Sequence, residues 1–595
     1  MRDAATCLAI IRSRGERGLP IDDLYRQLFN PEFFLQAYGK IYRNQGAMTP
    51  GVTAETVDGM ALTKIKAIVD DLRFERYRWT PVRRTYIPKK GGKLRPLGMP
   101  TWSDKLLQEA VRMLLEAYYE PQFSDHSHGF RPALGCHTAL REVYFNWRGT
   151  VWFIEGDIRG CFDNIDHSVL MSVLREKVLD NRFLRLIENL LKAGYLEEWA
   201  YHATFSGSPQ GGIVSPILAN IYLDRMDKFV ESVLVPTWTR GDERKDNPEY
   251  VRLYGRARYL RKTGRTEEAD ALFKQVQRLP SRLLDDPGYR RLKYVRYADD
   301  FLLGFVGTRQ EADDIKRQIG EFLREQLKLE LSESKTLVTH ARSEKARFLG
   351  YELCVTQDDH KHTKGRRSVN GVVSLRVPKD VIQAKCQPYV KAGQPAHRPE
   401  LTNHDVFDVV AQYQSVFRGV VNFYAMAHNL RDLSRLKWAM EGSLTKTLAA
   451  KLRISVPKVY ERFRATLETD QGPRKVLEVR IERGEKPPLI ARWGGISLAW
   501  KLDTELFDRL PVPMINTTEL VKRLLADECE LCGSRENIQV HHIRALKDLR
   551  KPGRTEKPRW AQVMAARRRK TLVVCQRCHV GIHAGRPSKP REGKC

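Results

Sequence analysis

The stretch KYVRYADDFLLGFV at 293–306 constrains this chain more than any other. It alternates like a strand, turns at an acidic pair, and then runs apolar, the pattern of a β-hairpin with two carboxylates at its tip. A second short apolar run, VWFIEGD at 151–157, ends in another acid and reads as a buried strand. If both strands lie in one sheet, Asp157, Asp299 and Asp300 converge despite their distance in sequence. Converging carboxylates suit Mg²⁺, which takes hard oxygen ligands and keeps several waters, so two or three acids suffice. A pair of such ions about 3.5–4 Å apart can activate a 3′-hydroxyl and stabilise the leaving oxygen when a nucleic-acid strand is extended. YADD alone is a weak signal, because Asp favours solvated turns in any protein.

Bulk properties point the same way. A chain of 595 residues exceeds what one core supports, so about three to five domains are expected. Its net charge of +29 predicts self-repulsion unless a polyanion neutralises it. Nucleic acid is the best such partner, and its binding would depend strongly on salt. A membrane surface is the weaker reading. No apolar run reaches transmembrane length, and the early CLAII segment is too short for a signal peptide.

Cys7, Cys136, Cys161, Cys354 and Cys386 are scattered and read as buried thiols, and Cys595 is assigned nothing. Cys529/Cys532 and Cys575/Cys578 form two C-x-x-C knuckles, which points to a reducing compartment and one metal site rather than disulfides. Four thiolates make a closed tetrahedral Zn²⁺ site, which a segment this small needs for stability. The gap between the knuckles leaves room for a ββα insert containing IQVHHI, and the second knuckle continues as CQRCHVGIH.

Coarse patterning fills in the rest. Residues 1–75 read as helices, 83–101 as a basic β-like stretch with Pro and Gly breaks, and 103–120 as a helix. DHSVLMSVLREKVL and RFLRLIENLLKAG read as helices, the second stopped by Gly194. The Arg-rich segment from about 236 to 290 looks like an insertion. A linker is expected at 357–370, around HKHTKGRR, and 403–470 is strongly helical with a break at GPRK.

The blocks IPKKGGKLRPLGMPT, HGFRP, EGDIRGCFDNIDH, GSPQGGIVSPILANIYL, YVRYADDFLL, LSESKT and RFLGYEL occur in the order found in group II intron reverse transcriptases, and the chain resembles that family over roughly 80–355. The resemblance implies an α+β multidomain fold: a right-hand polymerase with fingers and an antiparallel palm sheet, an all-α thumb, and a zinc-containing ββα HNH domain. By resemblance Asp157 and Asp299 are the main metal ligands and Asp300 the second acid of the turn. Phe162 matches the steric gate that favours dNTPs. Lys89 and Arg95 match the residues that hold the triphosphate, Gln210 and Gly211 the loop against the primer–template end, and Lys335 a lysine near the nucleotide phosphates, with proton donation left open. Phe348, Leu349 and Gly350 resemble the turn that supports the primer. Asp163 and Asp166 match no ligand position and read as capping or structural.

The stretch YQSVFRGVVNFYAMAHNLRDLSRLKWAMEGSLTKTLAAKL resembles the family's thumb, or maturase region, where Arg418, Lys446 and Lys451 would track RNA phosphates. Residues 471–525 resemble a DNA-binding segment only loosely. The C-terminal segment resembles an HNH nuclease, with a plain zinc finger as the rival. His542 is then the general base, whose need for a neutral imidazole predicts loss of activity in acid. His541 and His583 would hold the catalytic divalent ion, and His579 would either join them or orient them. Thr571 stands where many HNH enzymes have Asn.

The expected division is an N-terminal extension (1–75), fingers and palm (76–365), thumb (366–470), DNA-binding region (471–525) and HNH nuclease (526–595). The expected protein is a group II intron-encoded reverse transcriptase, maturase and HNH endonuclease acting in target-primed reverse transcription. Its expected partners are intron RNA, target DNA and dNTPs, with no membrane and a homodimer left open. Its expected cofactors are Mg²⁺ at both catalytic sites and Zn²⁺ at the cysteines. The expected location is the cytoplasm of a bacterial-type cell or an organelle, at the nucleoid when on DNA. The rivals are a non-enzymatic RNA-binding splicing factor and a reverse transcriptase of another element, such as a retron.

Overall fold

The computed structural model describes residues 2–88, 92, 94–197, 200–202, 212–283, 285–363, 366–469, 472–483, 486–504, 506, 519–549 and 558–586. The N-terminal layer is helical. In α1 (Pro31–Ile41) the Asn30 side chain caps the first turn and Pro31 starts it, and Phe33, Phe34, Ala37, Tyr38 and Ile41 make one buried face. Strands β1 (Val82–Pro88) and β2 (Leu94–Met99) pair antiparallel, and β1 continues the sheet to Tyr195–Glu197 and Ala200–His202. Helix α2 (Trp102–Tyr119) is buried almost all round, and its inward Arg112 is paired with Glu109 at 2.6 Å.

The palm is built from β3 (Trp152–Asp157), helix α3 (Ser215–Phe229), β4 (Arg291–Tyr297), β5 (Asp300–Val306) and β6 (Val338–His340). The strand order is β4-β5-β3-β6, every pair antiparallel. The FLLGFV run is buried along all of its length, which is why it reads as continuously apolar rather than alternating. The segment read as an insertion carries helices Pro248–Lys262 and Thr266–Arg278.

The linker expected at 357–370 is a correction. Strands β7 (Tyr351–Thr363) and β8 (Arg366–Arg376) form one long antiparallel hairpin that runs through it. Leu353, Val355, Val373 and Leu375 bury its base. The polar, basic stretch is the hairpin's far end, where cross-strand pairing extends to Thr363 and Arg366.

In the thumb, α4 (Val406–Phe423) and α5 (Ser434–Leu452) pack together. The helical stretch ends in strand β9 (Arg464–Leu467), which joins β10 (Arg474–Arg483) and β11 (Lys486–Gly494) in one sheet. The break at GPRK therefore lies inside a hairpin. That sheet docks on α4, where Gln414 exchanges hydrogen bonds with the Gly494 backbone at 2.9 and 3.0 Å. The C-terminal segment is a helix (Glu519–Leu525), then β12 (Ile538–His542), β13 (Thr571–Cys575) and α6 (Gln576–His583), a ββα unit. Its Leu520, Val540, Leu572 and Val573 share one hydrophobic cluster with the N-terminal helices, while the thumb belongs to a second cluster.

Candidate functional site

Strand register assembles the acids. Asp157 at the end of β3 lies opposite Asp300 at the start of β5, and Asp299 occupies the turn between β4 and β5. That turn puts Ala298 at φ 55°, an uncommon conformation for a residue with a side chain. It is held from behind. Gly129 of the HGFRP block packs so closely that a Cβ there would lie 2.3 Å from the Ala298 nitrogen. The His128 N–H donates to Arg296 O at 2.9 Å. Arg296 is wholly buried and donates to both carboxylate oxygens of Asp227 (2.7 and 2.6 Å), to Ser127 Oγ (2.8 Å) and to Ala298 O (2.8 Å). Neither Arg296 nor Asp227 was read as a site residue, although an Arg inside an apolar strand is a signal that it has a buried partner.

Burial, then the charges of Asp299 and Asp157, push Asp300 up to about 7. Burial and Asp157 raise Asp299 against the pull of Arg95 and Lys335. Lys335 donates to both oxygens of Asp157, at 3.0 and 2.8 Å, and the Ser332 N–H of the same LSESKT block donates to Asp157 O at 2.8 Å. Three crowded carboxylates, two of them raised by burial and by their neighbours, are a site short of positive charge, and hard divalent cations fit it. The acids are neighbours rather than a closed cage. Among the described residues, the groups of three or more candidate ligand atoms lying within 4.8 Å of one another are elsewhere, in the C-terminal unit.

Phe162 is half-buried just past β3, edge-on to Phe130 at 6.2 Å. Arg95 is exposed on β2. Lys89, Gln210 and Gly211 lie outside the described residues. The Phe348–Gly350 turn is fastened to the thumb, with Tyr424 Oη donating to Gly350 O at 3.1 Å. Asp166 caps the helix His167–Arg175 by accepting from Val169 N–H, the structural role read for it. Arg418 is exposed on α4. Lys446 and Lys451 have a partner the sequence did not reveal: their ammonium groups donate to Pro395 O (2.7 Å) and Thr402 O (2.8 Å), tying α5 to neighbouring loops.

In the C-terminal unit the four knuckle cysteines gather, and Cys532 Sγ lies 3.7 Å from Cys575 Sγ. Metal–sulfur bonds of about 2.3 Å in a tetrahedron give sulfur–sulfur edges of about 3.8 Å, so the spacing fits zinc. Burial and the neighbouring thiols push the Cys578 thiol up, as expected of sulfurs crowded without a cation. His541 and His542 point to opposite sides of β12, as alternation requires. His541 meets His579 and His583 of α6, with ring centroids 5.3 and 5.2 Å away. His542 is buried against α1, with Nε2 2.9 Å from Tyr38 Oη. Burial pushes its imidazole down to about 3, so it is neutral over the ordinary pH range. Thr571, opposite His542, accepts a hydrogen bond from Arg523 at 2.8 Å.

The fourth member of the histidine group was not foreseen: Asp58, from the N-terminal layer. Burial pushes its carboxyl up, but the contacts with the histidines outweigh this and hold it well below the usual carboxylate range. A lone Asp in ETVDGMAL carries no local signal for such a role.

Residues 87–245 match the family described as "Reverse transcriptase (RNA-dependent DNA polymerase)". Residues 375–481 match "Type II intron maturase", and 529–579 match "AI2M/AI1M-like, HNH endonuclease". The chain is 38% identical over 581 residues to the group II intron-encoded protein LtrA of Lactococcus lactis subsp. cremoris, covering 93% of this chain and 94% of that one. It is 34% identical to an uncharacterized 91 kDa protein in the cob intron of Schizosaccharomyces pombe, over 97% of this chain and 71% of that one.

Proposed function

This chain belongs to the group II intron-encoded proteins, joining an RNA-directed DNA polymerase, an intron maturase and an HNH DNA endonuclease in one polypeptide, and from that premise we propose how its residues divide the work. Asp157, Asp299 and Asp300 hold Mg²⁺, which when bound supplies activation of the primer hydroxyl and stabilisation of the leaving oxygen. Lys335 and Arg95, with Lys89, hold the triphosphate of the incoming dNTP. Phe162 excludes a 2′-hydroxyl. Gln210 and Gly211 lie along the primer–template end. The observation that carries this reading is the register of β3 against β5, which sets Asp157 opposite Asp300 beside the Asp299 turn.

Arg418 and the basic thumb surface meet the intron RNA, an interaction that weakens with salt. Cys529, Cys532, Cys575 and Cys578 hold Zn²⁺ and keep the nuclease folded. His541, His583 and His579 hold the nuclease's divalent ion; His542, read as the general base, lies on the other side of β12 against Tyr38, so it takes the proton from the attacking water only after the C-terminal unit rearranges. The nuclease opens one strand of target DNA, and the new 3′-end primes cDNA synthesis on the intron RNA. Among the described residues no helix is long and apolar enough to cross a membrane. Reduced thiols suit the cytoplasm or an organellar matrix.

Primer extension on an annealed RNA template tests the assignment. Losing a metal ligand should remove several kcal/mol of transition-state stabilisation, so Asp299→Ala should make at least about 10³-fold less cDNA. Equal, low synthesis by both proteins would favour a splicing factor on an inactive polymerase fold.

A further inference from the structure

The nuclease is not free-standing. Residues 57–60 of the N-terminal segment form a turn, with the Met60 N–H donating to Val57 O at 3.3 Å, and the turn meets β12 at a single bridge between Met60 and Val540. The Gly59 N–H donates to Val540 O at 3.0 Å and the Val540 N–H to Met60 O at 2.9 Å. This pairing carries Asp58 into the histidine group. Asp58 Oδ1 accepts the His542 backbone N–H at 2.7 Å and lies 3.1 Å from His579 Nε2 and 3.3 Å from His541 Nδ1. Asp58 Oδ2 lies 2.8 Å from His583 Nε2, which is itself 3.2 Å from His579 Nε2.

Two further facts point to a ligand at the centre. His541 is 4% exposed; its Nδ1 meets Asp58 Oδ1 at 3.3 Å without good hydrogen-bond geometry, and its Nε2 has no hydrogen-bond partner. A buried donor or acceptor left unmade is costly, and a bound ion would take one of these nitrogens. The spacings also fit. Bonds of about 2.0–2.1 Å to nitrogen and oxygen in a tetrahedron give ligand–ligand edges of about 3.3–3.4 Å; the contacts of Asp58 Oδ1 with His579 and His541, at 3.1 and 3.3 Å, and the His579–His583 contact, at 3.2 Å, are near this value, and all four ligand atoms lie within 4.8 Å of one another. Three imidazoles and one carboxylate suit a first-row transition ion better than Mg²⁺.

We propose that Asp58 is the fourth protein ligand of the nuclease ion, closing that site for as long as residues 57–60 stay paired with β12. The inference rests on the reading of His541, His579 and His583 as the nuclease's metal ligands and goes one step beyond it. A catalytic site of this type keeps an open coordination position for water or substrate, and four protein ligands leave a tetrahedral ion none. The same docking buries His542 under Tyr38. The docked nuclease is therefore held shut from two sides, and cutting requires the N-terminal segment to release β12.

The test uses the full chain bound to its intron RNA, with the cysteine site filled by one equivalent of Zn²⁺ and Co²⁺ then added as the probe. The parent should take one Co²⁺ with the intense visible absorption of a four-coordinate ion. Asp58→Asn should bind it at least about tenfold more weakly, the low end of what losing even a supporting group costs, and show the weak absorption of a six-coordinate, hydrated ion. Asp58→Glu, which keeps a carboxylate, should retain the strong band. Asp58→Asn should also nick target DNA faster than the parent, with cDNA synthesis on an annealed primer unchanged as the check on folding. Unchanged Co²⁺ affinity and spectrum in Asp58→Asn would overturn the proposal. So would nicking that falls as far as in His541→Gln, since Asp58 would then belong to the open, working site. If His541→Gln itself leaves Co²⁺ binding intact, the underlying assignment of the histidines has failed instead.

Discussion

The polymerase and nuclease sites serve the same kind of bond, a phosphodiester, but they are built in opposite ways. The polymerase acids come from one sheet, through strand register, and offer oxygen alone. The Lys335 side chain beside them remains 65% exposed. The nuclease histidines come from one strand of a two-stranded ribbon and from one helix and offer nitrogen. They are pressed against the N-terminal layer, with Asp58 drawn in from outside. A template and a stream of nucleotides must enter the first site at every step, so it stands open. The second has to cut once, at one place, and a cover costs it little while protecting other DNA.

If the two sites are built so differently, their supports should fail separately. The largest effect expected is on metal removal. Zinc binding to a small module contributes about 10–16 kcal/mol, far more than the core of the segment 519–586 could replace. A strong chelator should remove hydrogen-exchange protection from β12 and β13 while β3, β4 and β5 keep theirs. Simultaneous loss would show that the shared hydrophobic cluster makes the nuclease and the N-terminal layer one cooperative unit with the palm.

His542→Ala comes next. Losing a positioned general base costs about 10²–10⁴-fold, so nicking of the second strand should drop by that factor with primer extension untouched. A parallel fall in cDNA synthesis would erase the distinction between the sites. The palm has its own counterpart in Asp227→Asn. Arg296 would stay buried with its charge uncompensated, a loss of about 3–5 kcal/mol. Thermal inactivation of cDNA synthesis should move to lower temperature while nicking on a pre-formed substrate at low temperature is kept. An unchanged inactivation profile would mean that the pair does not support the YADD turn.

The two sites were also unequally legible in the sequence. The palm could be read because its signals are local. VWFIEGD and KYVRYADDFLLGFV declare their strands by period and their turn by composition, and antiparallel pairing does the rest. The cysteine knuckles were equally plain, because ligand spacing within each C-x-x-C pair is set by the turn between them. Asp58 was not legible, since nothing in ETVDGMAL distinguishes it until residues 57–60 pair with β12. The carbonyl partners of Lys446 and Lys451 were hidden for a related reason: a basic residue on a helix looks the same whether or not its ammonium meets a carbonyl of its own chain. The hairpin through HKHTKGRR was missed because cross-strand backbone bonds hold its far end, and backbone bonds leave no trace in composition.

The smallest effect tests the support of the palm alone. Glu142, on the helix Cys136–Asn146, stands between His126 Nδ1 (2.5 Å) and His128 Nε2 (2.9 Å), and the His128 N–H holds the strand behind the YADD turn. The contact with Glu142 raises the His126 pKa above its ordinary 6.5. Burial raises Glu142, but the histidine hydrogen bonds outweigh it and bring its pKa below 4.5. The stabilisation from His126 is fully present below pH 6.5 and fades as pH rises through the raised value, whereas that from Glu142 is present above pH 4.5 and fades as pH falls through the lowered one. The cluster therefore supports the palm most between these limits. The His126 side chain is 45% exposed, so solvent screening leaves only a few tenths of a kcal/mol, roughly the lower range of exposed pairs. In urea unfolding followed at the palm, the parent should exceed Glu142→Gln by more at pH 5.5 than at pH 8.5, and the nuclease module should show no such difference. A gap of equal size at both pH values would mean that His126 does not titrate against Glu142, leaving the loop behind the polymerase acids held by its backbone and by Arg296 alone.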